Sequence, residues 1–139
     1  MIQIKENIFT QITKQQAKGY SPLVLAFLGD GVYELLVRQK LISKAESVGM
    51  PVRKLHSQTV EKVRASYQAK GVRSIESLLS EEEADILRRG RNANSYVPKS
   101  ASVSDYRLAT GLETLFGYLH LIGEHERIQE LFEVICNGC

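Results

Sequence analysis

Two apolar helical stretches of this 139-residue chain carry a carboxylate where such helices ordinarily carry none. Asp30 lies within Leu23-Val24-Leu25-Ala26-Phe27-Leu28-Gly29-Asp30-Gly31-Val32-Tyr33-Glu34, and Glu113 within Ala109-Thr110-Gly111-Leu112-Glu113-Thr114-Leu115-Phe116-Gly117. Each acid is flanked by glycines, which cost a helix about 1 kcal/mol apiece relative to alanine. Close helix–helix approach, or access for a large ligand, would offset that cost. If the two helices cross near the acids, Asp30 and Glu113 converge, repel, and one carboxyl titrates high. Mg2+ removes that conflict, because it takes oxygen ligands and keeps waters and substrate phosphates in its shell. Such an ion activates water against a phosphodiester, so hydrolysis of a nucleic-acid backbone is the chemistry that fits. The competing reading leaves each acid as a satisfied core polar group or an ion-pair partner. Glu34, one turn beyond Asp30, shares its face. It is read first as the partner of an arginine, with support of Asp30 at a metal as the alternative.

A second set of residues suits phosphate. Arg88, Arg89, Arg91, Asn92 and Asn94 stand at a helix end and loop start, followed by Lys99 and Arg107. Arginine forks phosphate oxygens, and asparagine adds neutral hydrogen bonds to sugar and phosphate. Arg88 and Arg89 equally complement the negative end of their own helix. Arg53 and Lys54, with His56, form a further cluster, read either as a solvated face or as an RNA contact. No histidine has metal-ligand spacing. Cys136 and Cys139 make a lone CxxC, short of the four ligands of a structural zinc site, and are read as surface thiols.

The elements that must position these groups are helical throughout. An opening helix is expected over 4–18, closed by Gly19. Ser21 and Pro22 start the next, which reaches Ile42. A helix begun after Pro51 is expected to run unbroken to Gly71. A short turn over Ser74–Leu79 then leads to Ser80 and Glu83, a capping box opening a helix through Gly90. Residues 91–103 have no period and read as a loop. Ser104 or Asp105 is expected to cap the Glu113 helix, and a last helix covers 124–136. The expected fold class is therefore all-α, with six or seven helices in one domain over residues 1–139.

Composition agrees: 43% hydrophobic, 24% charged, and 18 basic against 16 acidic side chains. This excludes intrinsic disorder and disulfide scaffolds. No apolar run approaches the ~18–20 residues that cross a membrane. A soluble cytoplasmic domain with no membrane partner is expected.

Phe27-Leu28-Gly29-Asp30-Gly31-Val32 resembles the signature helix of the ribonuclease III family, roughly EFLGDAV. Gly111-Leu112-Glu113-Thr114-Leu115-Phe116-Gly117 resembles its second acidic helix, roughly DxxEALxG. The resemblance extends over almost the whole chain to the compact bacterial branch, Mini-ribonuclease III. It implies an all-α endonuclease domain, a homodimer, one or two Mg2+ ions per subunit, and cleavage of double-stranded RNA. It also implies maturation of the 23S ribosomal RNA precursor. Asp30 and Glu113 fall on the family's catalytic and metal-holding acids. Three other acids of the larger enzymes are missing: Leu23, Ala26 and Thr110 stand in their places. With residues 122–139 alone after Leu121, no C-terminal double-stranded-RNA-binding domain is expected, so Arg88 to Arg107 become the prime phosphate contacts. The apolar helix around Asp30 is expected to supply dimer contacts. Two other classes stay open: a non-catalytic RNA-binding or ribosome-assembly module of the same fold, and a plain helical interaction protein.

Overall fold

The structure, a computed structural model, describes residues 7–100 and 102–137. Seven α-helices and no strand occur among them: α1 (Lys14–Lys18), α2 (Pro22–Ser43), α3 (Val52–Val63), α4 (Ala65–Ile75), α5 (Glu81–Arg91), α6 (Val103–Leu121) and α7 (His125–Asn137). The all-α expectation holds.

The middle of the molecule is α6. From Leu108 to Leu119 every residue is buried except Glu113. A helix apolar on all sides must be enclosed by its neighbours, and α2, α4, α5 and α7 pack around this one. Tyr33 of α2 is fully buried, tilted against Phe116 at 5.9 Å and edge-on to Phe132 at 5.8 Å. The Thr114 hydroxyl lies 2.7 Å from the Thr110 carbonyl and 3.1 Å from that of Pro22, tying α6 to the first turn of α2.

Local capping chemistry sets most of the helix starts. Ser21 accepts from Val24 N–H, with Pro22 in the first turn. Ser80 and Glu83 form the expected reciprocal box at 3.1 and 2.9 Å.

Three boundaries differ from expectation. The opening helix is short: Thr13 and Gln16 cap each other, and only Lys14–Lys18 is helical. Upstream, Asn7 accepts from Phe9 N–H in a side-chain turn that competes with helix. The expected start at 4–6 lies outside the described residues, as do Ala101 of the loop and Cys139 of the CxxC. The helix expected to run from Val52 to Gly71 breaks at Arg64, which is extended at φ −66°, ψ 153°. Side chains satisfy the freed carbonyls there: Tyr33 donates to Lys62 at 3.3 Å and Gln68 to Val63 at 2.9 Å. Gly71 therefore ends nothing. It lies within α4 because a Cβ there would come 2.8 Å from Ile135. The third difference is that Ser102, not Ser104 or Asp105, caps α6, accepting from Asp105 N–H at 3.0 Å.

Candidate active site

The two acids meet where α2 crosses α6, and glycines allow the crossing. A Cβ on Gly29 would fall on the Glu113 carbonyl group and lie 2.9 Å from the Gly117 nitrogen. One on Gly117 would run into the Leu25 carbonyl. Backbone therefore packs on backbone, and the Asp30 and Glu113 carboxylates become neighbours. Gly111 and Gly90 serve the adjoining contact of α5 with α6, against Leu87 and Thr114. Gly31 differs: nothing lies within 4 Å of a Cβ placed there, so that side of Asp30 is open.

Asp30 is exposed, contrary to the burial expected of it, while Glu113 is half-buried. Its place on the outer rim of α2 leaves it facing water, whereas Glu113 rises from the enclosed helix. Burial first, and then the Asp30 carboxylate, push the Glu113 carboxyl up to about 8. The Gln68 amide beside Glu113 opposes the shift by favouring its charged form. No cation pairs with either acid among the described residues. The ion-pair alternative for Asp30 and Glu113 thus finds no partner.

Glu34 follows its structural alternative and pairs with Arg38 at 3.1 Å, one turn on. No three His, Cys, Asp or Glu side chains converge among the described residues. Of the positions where larger relatives carry acids, Leu23 is exposed and apolar, Ala26 is buried, and Thr110 donates its hydroxyl to the Tyr106 carbonyl at 3.0 Å. The donors at the crossing are hard oxygens carrying negative charge. That chemistry fits a hydrated divalent ion such as Mg2+ and not a soft metal.

The basic residues divide. Arg91, Asn92 and Arg107 line one open groove of about 630 Å3 with Val103, Ser104 and Leu108. Arg73 joins them from α4, where it pairs with Asp105 at 3.4 Å. Arg73 carries no signal in the sequence, because only the packing of α4 beside α6 brings it to residues so far along the chain. Arg91 and Arg107 have no ion pair among the described residues. Arg88 instead pairs with Asp85 on its own helix, and Arg89 is half-buried. Asn94 and Lys99 are exposed on the α5–α6 loop outside the groove. Arg53, Lys54 and His56 are exposed on α3 and do not line it either. His120 and His125 stack edge to face at 5.2 Å, and burial lowers His120. They form no ligand set.

Residues 23–124 match the Ribonuclease III domain family. The chain is 44% identical over 128 residues to the Mini-ribonuclease 3 of Clostridium tetani, covering 91% of this chain and 83% of that protein. It is 49% identical over 124 residues to the Mini-ribonuclease 3 of a Thermoanaerobacter species, covering 88% and 85%. The crystal structure of protein FN1578 from Fusobacterium nucleatum superposes with a TM-score of 0.77 at 33% identity, covering 85% of this chain and 94% of that one. A match over most of the chain, carried by helices that bring Asp30 against Glu113, makes this protein an endoribonuclease of the ribonuclease III family, among its compact Mini-ribonuclease 3 members.

Proposed function

We propose that this endoribonuclease cuts double-stranded RNA with Mg2+ held by Asp30 and Glu113, as a single catalytic domain that works as a homodimer. The observation that carries the proposal is the Glu113 carboxyl beside Asp30, raised to about 8 and without a protein cation. A bound divalent ion supplies positive charge against the scissile phosphate and lowers the pKa of the attacking water. The chain's own part is to hold two carboxylates at fixed separation on a backbone-to-backbone crossing. With the ion, the Glu113 carboxyl would give up its proton at neutral pH.

The groove of Arg73, Arg91 and Arg107 supports phosphate contacts flanking the cut, with Asn92 adding a neutral hydrogen bond. Arg88, Arg89, Asn94 and Lys99 extend the same edge along the duplex. Arg53, Lys54 and His56 lie apart from it, and a further phosphate contact is their proposed role. A-form RNA would be held by shape, phosphates and 2′-hydroxyls. Replacing Arg107 by alanine is expected to weaken binding and reduce the slope of log K against log salt by about 1, as read by filter binding across a salt series.

The dimer is supported by α2, which leaves Val24, Phe27, Leu35 and Ile42 exposed along one side; Phe27 is 84% exposed. Apolar stripes of this kind mark interfaces. Two subunits would then cut opposite strands of one duplex. The proposed natural substrate is the 23S ribosomal RNA precursor, supported by the family resemblance of the motifs. No helix among the described residues is long and apolar enough to cross a membrane, which agrees with a cytoplasmic enzyme.

The test is one gel: wild type, Asp30→Asn and Glu113→Gln with a long RNA duplex and with its single strands, in Mg2+ or EDTA. Cleavage of the duplex by wild type in Mg2+ alone is the expected result. Equal cleavage in EDTA, or by either variant, overturns the assignment.

A further inference from the structure

Gln68 is 2% exposed, and its Nε2 donates to the Val63 carbonyl at 2.9 Å, in the break between α3 and α4. The same amide lies beside the Glu113 carboxylate. Its Oε1 is buried and has no hydrogen-bond partner among the described residues. A buried amide oxygen left in this way costs about 1–3 kcal/mol, and a methionine or leucine would fill the space without that cost.

Exchanging the amide oxygen and nitrogen does not solve the problem. The Val63 carbonyl can only accept, so it fixes the nitrogen on its side. The neighbouring groups do not help either. The proton that Glu113 keeps is shared with Asp30, and the Gln68 amide meets Glu113 through its N–H side, so neither contact supplies a donor to Oε1. The Asp30 and Glu113 carboxylates are neighbours, the Gln68 amide stands beside Glu113, and no group donates to its Oε1 among the described residues. The three residues belong to three different helices, α2, α4 and α6.

We infer that Gln68 is the third oxygen donor of the divalent-ion site, its Oε1 belonging to the ion's oxygen shell while its Nε2 orients the amide from Val63. This rests on the divalent-ion reading of Asp30 and Glu113 given above. A neutral amide oxygen is a common donor to hard cations, and no third carboxylate converges here among the described residues. The break at Arg64 acquires a purpose, because it frees the Val63 carbonyl to anchor the amide.

The experiment is calorimetric titration of Mg2+ into the full-length RNA-free protein, with metal-free circular dichroism as the folding control. Gln68→Met, which keeps the length and loses both polar atoms, is expected to weaken Mg2+ binding about 10- to 100-fold. Gln68→Glu, which keeps an oxygen and adds charge, is expected to bind Mg2+ more tightly than wild type. A folded Gln68→Met with the wild-type affinity overturns the inference. So does a Gln68→Glu as weak as Gln68→Met, since the amide would then serve only to cap α3. If Gln68→Met does not fold, Gln68→Glu decides alone: tighter binding supports the inference, and weaker or unchanged binding overturns it. Asp30→Asn separates the two levels. If it binds Mg2+ like wild type, the divalent-ion reading itself fails. If it loses Mg2+ while Gln68→Met does not, only the role of Gln68 fails.

Discussion

Glu83 and Glu113 are both glutamates on packed helices, and the fold treats them in opposite ways. Glu83 accepts from Ser80 N–H at 2.9 Å and receives the Arg127 guanidinium at 2.8 and 2.9 Å. The hydrogen bonds from Arg127, against a smaller cost of burial, hold its carboxyl below the usual range. Glu113 meets a second carboxylate instead of a cation, and its carboxyl rises to about 8. One site is complete within the protein, with its charge answered by donors. The other sets two carboxylates together with no cation beside them among the described residues, which is what the proposed divalent ion would answer. A structural carboxylate and the proposed functional one thus differ in what surrounds them, not in residue type.

The comparison breaks most visibly in activity. Glu113→Gln and Asp30→Asn are each expected to lower kcat/KM on duplex RNA by at least about a thousandfold, some 4 kcal/mol of barrier. Metal-free stability should hold or rise, because each variant removes a repulsion. A matching loss of metal-free Tm would make these acids structural, like Glu83.

Arg127→Met is the reverse experiment. It strands the Glu83 carboxylate and is expected to cost about 2–3 kcal/mol in urea unfolding. That is less than for breaking a fully buried pair, because water reaches part of this one. The folded fraction should keep its kcat/KM.

The two carboxylates also pull stability in opposite directions with pH. The raised Glu113 favours the folded state in its protonated form. Its contribution is full below the unfolded value near 4.5 and is lost as pH rises through about 8. The lowered Glu83 contributes above the ordinary carboxylate range and loses that contribution as pH falls through its folded value. Urea unfolding in EDTA across pH should show both limbs, with the alkaline limb worth about 2 kcal/mol after allowance for water access. Glu113→Gln should flatten the alkaline limb and Glu83→Gln the acid one. Added Mg2+ should raise stability most at high pH, because it binds the deprotonated pair.

The smallest effect sharpens the comparison at the open side of the cleft. Gly31→Ala meets no atom within 4 Å and removes a helix-interior glycine. It is expected to stabilise the metal-free protein by about 0.5–1 kcal/mol, read as a higher urea midpoint. A loss instead would mean that the open side is closed in solution.

Much of this was legible from residues alone, and for local reasons. Caps at Ser21 and Ser80 act over three or four residues, so the starts of α2 and α5 can be read directly. The all-α class follows from the helical period, and α6 could be read as enclosed because it is apolar all round. Asp30 and Glu113 stood out because a charge inside such a helix demands an explanation, and the flanking glycines called for either a close crossing or room for a ligand; the fold shows the crossing at Gly29 and Gly117 and open space at Gly31. Gly71 misled because a glycine has two meanings, helix end or tight packing, and only Ile135 decides between them. The break at Arg64 had no local breaker to announce it. Tyr33 of α2 and Gln68, in the first turn of α4, satisfy the carbonyls it frees.

Sequence by itself determined the all-α class, the caps at Ser21 and Ser80, the two acids and the family pattern, since each is written in neighbouring residues or in one helical face. Tertiary structure alone decided that Glu113 titrates high, that Glu34 belongs to Arg38, that Arg73 joins Arg91 and Arg107, and that Gln68 stands with the acids. Those facts depend on desolvation and on distances between helices far apart in the chain, and no local pattern encodes either.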